Sequence, residues 1–324
     1  MCTAITYLTR DLYFGRTLDH TCSYGEEVTI APRNFPLPFR HKSALSSHYA
    51  MIGMAHVEKG YPLYYDAMNE KGLAIAGLNF EGFAEYHNVV TGKDNIAQFE
   101  LLPWLLAQCA SVKEARMLLK RLNLTNDAFD PQIPPSSLHW LIADRQEAIT
   151  VEAVKEGLRV CDNPVGVLTN NPPFDFHLFN LSQYMSLSIV SPENRFSDNL
   201  PLKVWSRGMG AIGLPGDLSS SSRFVRAAFT KANACSGNSE EESVGQFFHI
   251  TDTVSQVRGC CKTNSGEYEV TRYTSCCNVS KGIYYYTTYD RRCITAVDLH
   301  REDPEGSFLI RYPLLSREDI FLQN

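Results

Sequence analysis

The sequence predicts an α+β sandwich in which β-sheets are enclosed between layers of helices. Three observations support this prediction: segments rich in β-forming residues occupy both ends of the chain, two pairs of helices lie between them, and no linker rich in Pro, Gly or Ser divides the chain. With 324 residues, of which 44% are hydrophobic and 20% are charged, the chain can bury a large core without disulfides or metals. We therefore expect residues 1–324 to form a single domain.

The first twenty residues are predicted to form a β-hairpin that turns at Arg10. This register places Cys2 opposite Leu18, and Arg16 shares the face of Leu18 because side chains alternate along a strand. Asp19 points to the other face of a regular strand. The strand must therefore end or bend at Asp19 if its carboxylate is to serve Cys2.

The remaining elements follow from hydrophobic periodicity and turn chemistry. Segment 26–40 carries three prolines and is expected to be extended or looped, whereas 64–80 is expected to be a hairpin that turns at Gly72. Further strands are predicted within 137–163 and 165–172, and in a C-terminal meander at 257–264, 267–277, 282–289 and 293–299. Helices are predicted within 96–110, 111–122, 223–234 and 239–254.

The charge and composition argue against several classes of protein. A net charge of −6 and a pI near 5.9 argue against a nucleic-acid-binding protein, and no basic run marks a membrane-surface patch. We recognise neither a signal peptide nor an apolar stretch long enough to span a bilayer, so we expect a cytoplasmic protein without membrane contact. In that reducing compartment the ten cysteines are not expected to form a disulfide framework. The sequence contains no C-x-x-C or H-E-x-x-H pattern, and we expect neither a metal nor a cofactor.

The most informative residue is the cysteine directly behind the initiator methionine. Removal of Met1 would give Cys2 a free α-amine, and its reference pKa of about 7.7–8.0 leaves an appreciable fraction unprotonated near neutrality. The amine can then accept the proton of the thiol on its own residue, so that one residue supplies both nucleophile and base. Arg16 would favour the thiolate, and a buried Asp19 would orient the amine. The alternative is a chance cysteine beside a local Arg16–Asp19 ion pair that caps the strand.

Six motifs, spread in order over nearly the whole chain, resemble the choloylglycine hydrolases. These are the conjugated bile acid hydrolases, sisters of the penicillin V acylases in the N-terminal nucleophile superfamily. The motifs are MCT at the start, FGRTLD at 14–19, MNEKGLAIAGLNF at 68–80, GVLTNNP at 166–172, LPGDLSSSSRFVR at 214–226 and SCCNVSKGIYYYTTYD at 275–290. The resemblance implies an αββα sandwich of two antiparallel sheets, hydrolysis of the amide that joins a bile acid to glycine or taurine, and a homotetramer.

The resemblance also assigns six residues to the catalytic site, namely Cys2, Arg16, Asp19, Asn79, Asn170 and Arg223. Cys2 would form a thioester with the acyl group, with its α-amine as general base. Asn79 would donate its side-chain amide to the oxyanion hole, because charge develops on the carbonyl oxygen during attack. Asn170 would belong to the polar site, although the adjacent Asn171 leaves the assignment between the two asparagines open.

Asn79 also bears on the substrate, because the bile-acid hydrolases that this chain resembles tend to carry asparagine there and penicillin acylases tend to carry tyrosine. A rigid apolar steroid requires a pocket lined by aliphatic and aromatic side chains. The candidates for this pocket are Leu18, Tyr24, Tyr65, Phe129, Ile133 and Leu138. Two alternatives stay open: the same mechanism acting on penicillin V or an N-acyl homoserine lactone, and a non-catalytic ligand-binding protein that has kept the fold.

Overall fold

A computed structural model describes residues 1–315 and 317–324. Its strands, in chain order, are β1 Cys2–Leu8, β2 Leu12–His20, β3 Glu27–Ala31, β4 Met51–Glu58, β5 Tyr61–Asn69, β6 Ala74–Asn79, β7 Asp94–Ala97, β8 Leu122–Thr125, β9 Leu138–Ala143, β10 Ala148–Val154, β11 Gly157–Asp162, β12 Val167–Leu168, β13 Val270–Asn278, β14 Ile283–Thr288, β15 Arg291–Asp298 and β16 Ile310–Pro313. Its helices are α1 Leu101–Gln108, α2 Val112–Leu119, α3 Phe174–Asn180, α4 Ser220–Asn233 and α5 Glu240–Asp252.

Two antiparallel sheets form the centre of the molecule. The first has six strands in the order β12-β1-β2-β13-β14-β15, and the second has eight in the order β11-β10-β9-β6-β5-β4-β3-β16. Helices α4 and α5 pack on β1, β2 and β13 of the first sheet, whereas α1 packs on β5 and β6 of the second. The sheets face each other where β1 and β2 contact β6. This order of layers confirms the αββα sandwich.

Alternation along β6 explains why this strand lies at the centre of the fold. Ala74, Ala76 and Leu78 are buried in the core shared with the first sheet, whereas Ile75 is buried in the core shared with α1. Both faces of the strand are therefore covered, and burial of each of the two larger side chains, Leu78 and Ile75, contributes about 1.5–3 kcal/mol. Among the described residues, no helix has the length and apolar character needed to cross a bilayer.

Several predicted elements are confirmed at residue level. Cys2 lies opposite Leu18 in the β1–β2 hairpin, and the 64–80 hairpin turns at Gly72, whose φ is +92°. Helix α2 follows Ser111, whose hydroxyl accepts a hydrogen bond from the backbone of Glu114. Capping of this kind satisfies one of the amide groups that every helix N-terminus leaves free.

Other predictions were wrong at element boundaries. Segment 257–264 forms no strand beyond a single bridge between Lys262 and Tyr268, because the glycines at 259 and 266 adopt positive φ and turn the chain on both sides. Helix α4 begins at Ser220 rather than Arg223, since the Ser219 hydroxyl caps it. Segment 26–40, predicted only as extended or looped, contains strand β3, which ends before the first of its prolines. Helix α3 and the parallel β7–β8 pair were not predicted.

Candidate active site

Cys2 is the first residue of β1 and is buried where β1 pairs with β2. Its Sγ contacts Nη2 of Arg16, and its backbone N–H donates to Oδ1 of Asn170 at 2.8 Å. Met1 is still attached in this structure, and with it in place Cys2 is 5% exposed. The Met1 amine pairs with Glu269, while the Met1 carbonyl accepts a hydrogen bond from the backbone of Asp19 at 2.8 Å. The N-terminal charge therefore lies on Met1, one residue away from Cys2.

Arg16 places a buried positive charge against the sulfur. Its guanidinium donates to the backbone carbonyls of Tyr65, Gly77 and Thr17, and the side chain is 1% exposed. Burial lowers the pKa of Arg16, but the negative charges around it, that of Cys2 foremost, outweigh burial and raise the pKa above its ordinary value. Arg16 is therefore cationic at all relevant pH, and a cation at this position favours the thiolate of Cys2.

Asn170 connects the backbone of Cys2 to Arg223. Its Oδ1 also accepts a hydrogen bond from Nη2 of Arg223 at 2.7 Å, and its Nδ2 donates to the carbonyl of Asn79 at 2.8 Å. Arg223 in turn donates through Nη1 to the Cys2 carbonyl and, at 2.7 Å, to Thr3. These contacts distinguish the two adjacent asparagines, because Asn170 contacts Cys2.

Asn171 faces away from this cluster. Its side chain is partly exposed and donates to the carbonyl of Glu81 at 2.7 Å. The contacts thus favour Asn170 over Asn171 as the site residue.

Asp19 lies on the opposite face of β2 from the Cys2 sulfur. The strand neither ends nor bends there, since β2 runs on to His20 and the irregularity lies in β13 between Thr271 and Tyr273. The carboxylate accepts hydrogen bonds from Thr17 at 3.2 Å and Thr271 at 2.6 Å. Burial raises the pKa of Asp19, and Arg223 is the largest influence opposing that rise. Asp19 reaches the N-terminus through its backbone, which exchanges hydrogen bonds with Met1.

Asn79 ends β6 with its side chain exposed beside Asn170. Within the described part of the chain, the Asn79 amide makes no hydrogen bond to another residue, so it is available to a ligand's carbonyl oxygen.

The six predicted pocket residues fall into two groups. Leu18 lies opposite Cys2, Leu138 lies opposite Asn79, and the carbonyl of Tyr65 accepts from Arg16, so these three adjoin the cluster. The other three lie on peripheral segments: Phe129 packs against Tyr61 and Phe99, Ile133 bonds within its own loop, and Tyr24 is 52% exposed on a turn beside His20.

Two buried histidines, which none of the sequence motifs includes, support the Asn170 loop. Nε2 of His139 lies 2.8 Å from the carbonyl of Thr169, and Nε2 of His177 lies 2.9 Å from that of Asn170. Carbonyls only accept hydrogen bonds, so each Nε2 carries the proton. Burial lowers the pKa of His177 to about 4, which keeps this ring neutral. His139 faces inward on β9, but the sequence does not reveal which carbonyls the two rings contact.

Comparison with known proteins places this chain in a family. Residues 2–311 match the family model described as linear amide C–N hydrolases, choloylglycine hydrolase family. A bile salt hydrolase/transferase of Lactiplantibacillus plantarum is 55% identical over 324 residues, which is all of both chains. A solved structure of a mutant conjugated bile acid hydrolase from Clostridium perfringens has a TM-score of 0.93 and 38% identity over the full length of both chains. Penicillin V acylase from Agrobacterium tumefaciens has a TM-score of 0.78 at 19% identity, covering 97% of this chain and 92% of its own, and shares the fold. The chain therefore belongs to the choloylglycine hydrolase family of linear amide C–N hydrolases.

Proposed function

We propose that this enzyme hydrolyses the amide bond between a bile acid and glycine or taurine, with Cys2 as nucleophile once Met1 is removed. The observation that carries the proposal is the position of Cys2, whose sulfur contacts the Arg16 guanidinium while its nitrogen donates to Asn170. The same residue thus has a cation at its thiol and an acceptor at its amine. The names of the L. plantarum and C. perfringens relatives support bile salts as the substrate class.

The reaction can be followed atom by atom. The free α-amine takes the proton of Sγ, and the sulfur attacks the amide carbonyl carbon to give a tetrahedral oxyanion. Asn79 and a backbone N–H would stabilise that oxyanion, and donors of this kind contribute about 3–4 kcal/mol each in other acyl transfers. The ammonium then gives its proton to the departing glycine or taurine nitrogen as the C–N bond breaks. Water attacks the resulting thioester while the amine accepts its proton, the C–S bond then breaks to release the bile acid, and the ammonium returns its proton to the sulfur.

A second activity follows from the thioester itself. An amine can attack the thioester instead of water, which transfers the acyl group to a new amino acid. The hydrolase/transferase name of the L. plantarum relative favours this possibility. Incubation with a conjugated bile acid and a second amino acid, followed by mass spectrometry, would reveal the exchanged amide. An absence of exchanged product at saturating amine would reject the transfer.

The test of the main proposal is release of glycine or taurine from conjugated bile acids, measured beside penicillin V. Cys2→Ala should abolish turnover while the protein remains folded, and Cys2→Ser should be processed but react slowly, because an alkoxide is harder to form than a thiolate. Cys235→Ala is the matched control, since that thiol is exposed and lies after α4. Turnover retained by Cys2→Ala would reject the mechanism, and a preference for penicillin V would reject the substrate class.

We also propose a homotetramer in the cytoplasm. The segment between α3 and α4 exposes large apolar side chains, among them Met185, Phe196 and Trp205, each at least 80% exposed, and such groups are unusual on a free surface. All ten cysteines are free thiols, as a reducing compartment requires. Light scattering of the wild type and of Trp205→Glu should give a tetramer and a smaller species respectively. A monomeric wild type would reject the assembly, and cell fractionation tests the compartment.

A further inference from the structure

Asp66 is a buried carboxylate between the two sheets, at a position that the proposed reaction does not use. It lies on β5 of the eight-stranded sheet and is 0% exposed. Its oxygens accept hydrogen bonds from three hydroxyls of the six-stranded sheet: Tyr273 at 2.6 Å, Ser275 at 2.8 Å and Tyr284 at 2.7 Å. An ionised carboxylate accepts hydrogen bonds but donates none, which fits three O–H donors converging on it.

Asp66 is linked to Arg16 by short paths. Ser275 Oγ donates to Asp66 and accepts from the backbone N–H of Arg16 at 3.1 Å. The guanidinium of Arg16 donates to the carbonyl of Tyr65, the residue that precedes Asp66, and to that of Gly77, next to the residue paired with Asp66 on β6. The carboxylate and the guanidinium therefore lie in one small region between the sheets.

Arg16 needs a counter-charge because it is buried. Among the described residues, no carboxylate lies within 4.0 Å of its guanidinium nitrogens, and its partners are backbone carbonyls and Sγ of Cys2. An unpaired buried charge is strongly destabilising. A carboxylate beyond that distance, such as that of Asp66, therefore helps to stabilise the Arg16 charge. Asp66 and Cys2 then compete for the same positive charge. Burial raises the pKa of Asp66 above its ordinary value, and the Arg16 charge and the three hydroxyls, which stabilise the ionised form, offset only part of that rise.

We propose that Asp66 is a positioning residue whose negative charge, acting through Arg16, sets the pH at which the Cys2 thiolate forms. The inference rests on the proposed role of Cys2 as nucleophile. A negative charge near a thiol disfavours its ionisation, so loss of the Asp66 charge should shift thiolate formation to lower pH. The other titratable and charged groups around Sγ, the guanidinium and the Asp66 carboxylate are the Cys2 α-amine, Asp19, Tyr65, Glu269, Tyr273, Cys277, Tyr284 and Arg223.

The test is the pH dependence of Cys2 alkylation by iodoacetamide in Met1-free protein, read on the N-terminal peptide by mass spectrometry. Asp66→Asn keeps the shape and removes the charge, and its alkylation midpoint should fall by about one pH unit, the size expected for one charge acting at short range in a partly screened interior. Because nucleophilicity falls with thiol pKa, the limiting alkylation rate should fall about threefold for that shift. A structural defect alone would alter the rate without moving the midpoint in this direction.

Tyr284→Phe is the matched control, because it removes one hydroxyl from Asp66 and leaves the carboxylate charge. Its midpoint should stay at the wild-type pH. An unchanged midpoint in Asp66→Asn would overturn the proposal. If Asp66→Asn does not fold, Asp66→Ser offers a smaller neutral residue. A lower alkylation midpoint in that variant would then support the proposal, and an unchanged midpoint would overturn it. Alkylation needs no bile salt, so a wild type that fails to cleave conjugates would reject the proposed substrate while this measurement still decides the role of Asp66.

Discussion

Replacing Asn170 with alanine tests the centre of the proposed site. In the structure its side chain makes three hydrogen bonds, with the Cys2 nitrogen at 2.8 Å, Arg223 at 2.7 Å and the Asn79 carbonyl at 2.8 Å. After the proposed removal of Met1, the first of these partners would be the α-amine that we propose as base. The change therefore removes an acceptor from the group that becomes positively charged when the thiol is attacking.

The size of the effect follows from that charge. A hydrogen bond to a charged group contributes about 1.5–3 kcal/mol, so loss of this contact predicts a fall in kcat/KM of about 13- to 160-fold. The loss should approach the upper end, because Arg223 also loses its side-chain partner at Asn170 and is 0% exposed. Asn171→Ala removes only a neutral hydrogen bond at a partly exposed position and should stay within about threefold of wild type.

The assay is release of glycine from glycocholate by both variants and the wild type. Intact mass must first show that Met1 is absent from each protein, and circular dichroism must show that each is folded. The reasoning is refuted if Asn170→Ala stays within threefold of wild type, or if Asn171→Ala loses as much activity as Asn170→Ala.

Three further changes have defined outcomes. The pKa of His177 is about 4 in the folded protein and about 6.5 in the unfolded chain, so the unfolded chain binds more protons between these pH values. The free energy of unfolding should therefore fall by ~2 kcal/mol from pH 7 to pH 5. Urea titration of His177→Gln should show a smaller fall. A chain that retains Met1 should be inactive because the Cys2 nitrogen is then a peptide nitrogen, which activity of a mass-verified unprocessed sample would contradict. Gly15→Ala places a Cβ 2.0 Å from a backbone oxygen of β13 and should lower the free energy of unfolding, measured in urea, by about 1–3 kcal/mol. Gly216→Ala meets nothing within 4 Å and should lower it little. A single cooperative transition in these titrations would support one domain for residues 1–324.

Local sequence patterns were sufficient to predict the geometry of the N-terminal hairpin. A turn at Arg10 sets Cys2 opposite Leu18. Alternation along the strand then puts Arg16 on the same face as Leu18. Those two facts put Arg16 within reach of Cys2, and the structure shows the contact with Sγ. Asp19 shows where such reasoning ends, because its position was tied to a bend in β2, whereas the strand stays regular and only the Asp19 backbone reaches the N-terminus.

The buried polar network could not be predicted, because its partners are distant in sequence. Asp66 and Tyr273 are 207 residues apart, and their contact depends on which strands of the two sheets face each other. A sequence pattern marks Asp66 only as a polar residue in an apolar strand, which equally fits an exposed or an edge position. The histidines at 139 and 177 are similar cases, since their carbonyl partners lie on a loop that follows β12. The family motifs suggested Asn79 and one of the asparagines at 170 and 171, and the contacts favour Asn170.

The proposed removal of Met1 would move the N-terminal charge onto Cys2. Before removal, the ammonium group pairs with Glu269 and the nitrogen of Cys2 is a neutral amide donor to Asn170. Afterwards the charge resides on the Cys2 nitrogen itself, about 3.8 Å further along the chain, the spacing of consecutive Cα atoms. Asn170 then accepts from an amine that can hold the thiol proton, while the Arg16 guanidinium already contacts the sulfur. Loss of a single residue would thus place the proposed base and nucleophile together beside Arg16, Arg223 and Asn170, which already contact Cys2.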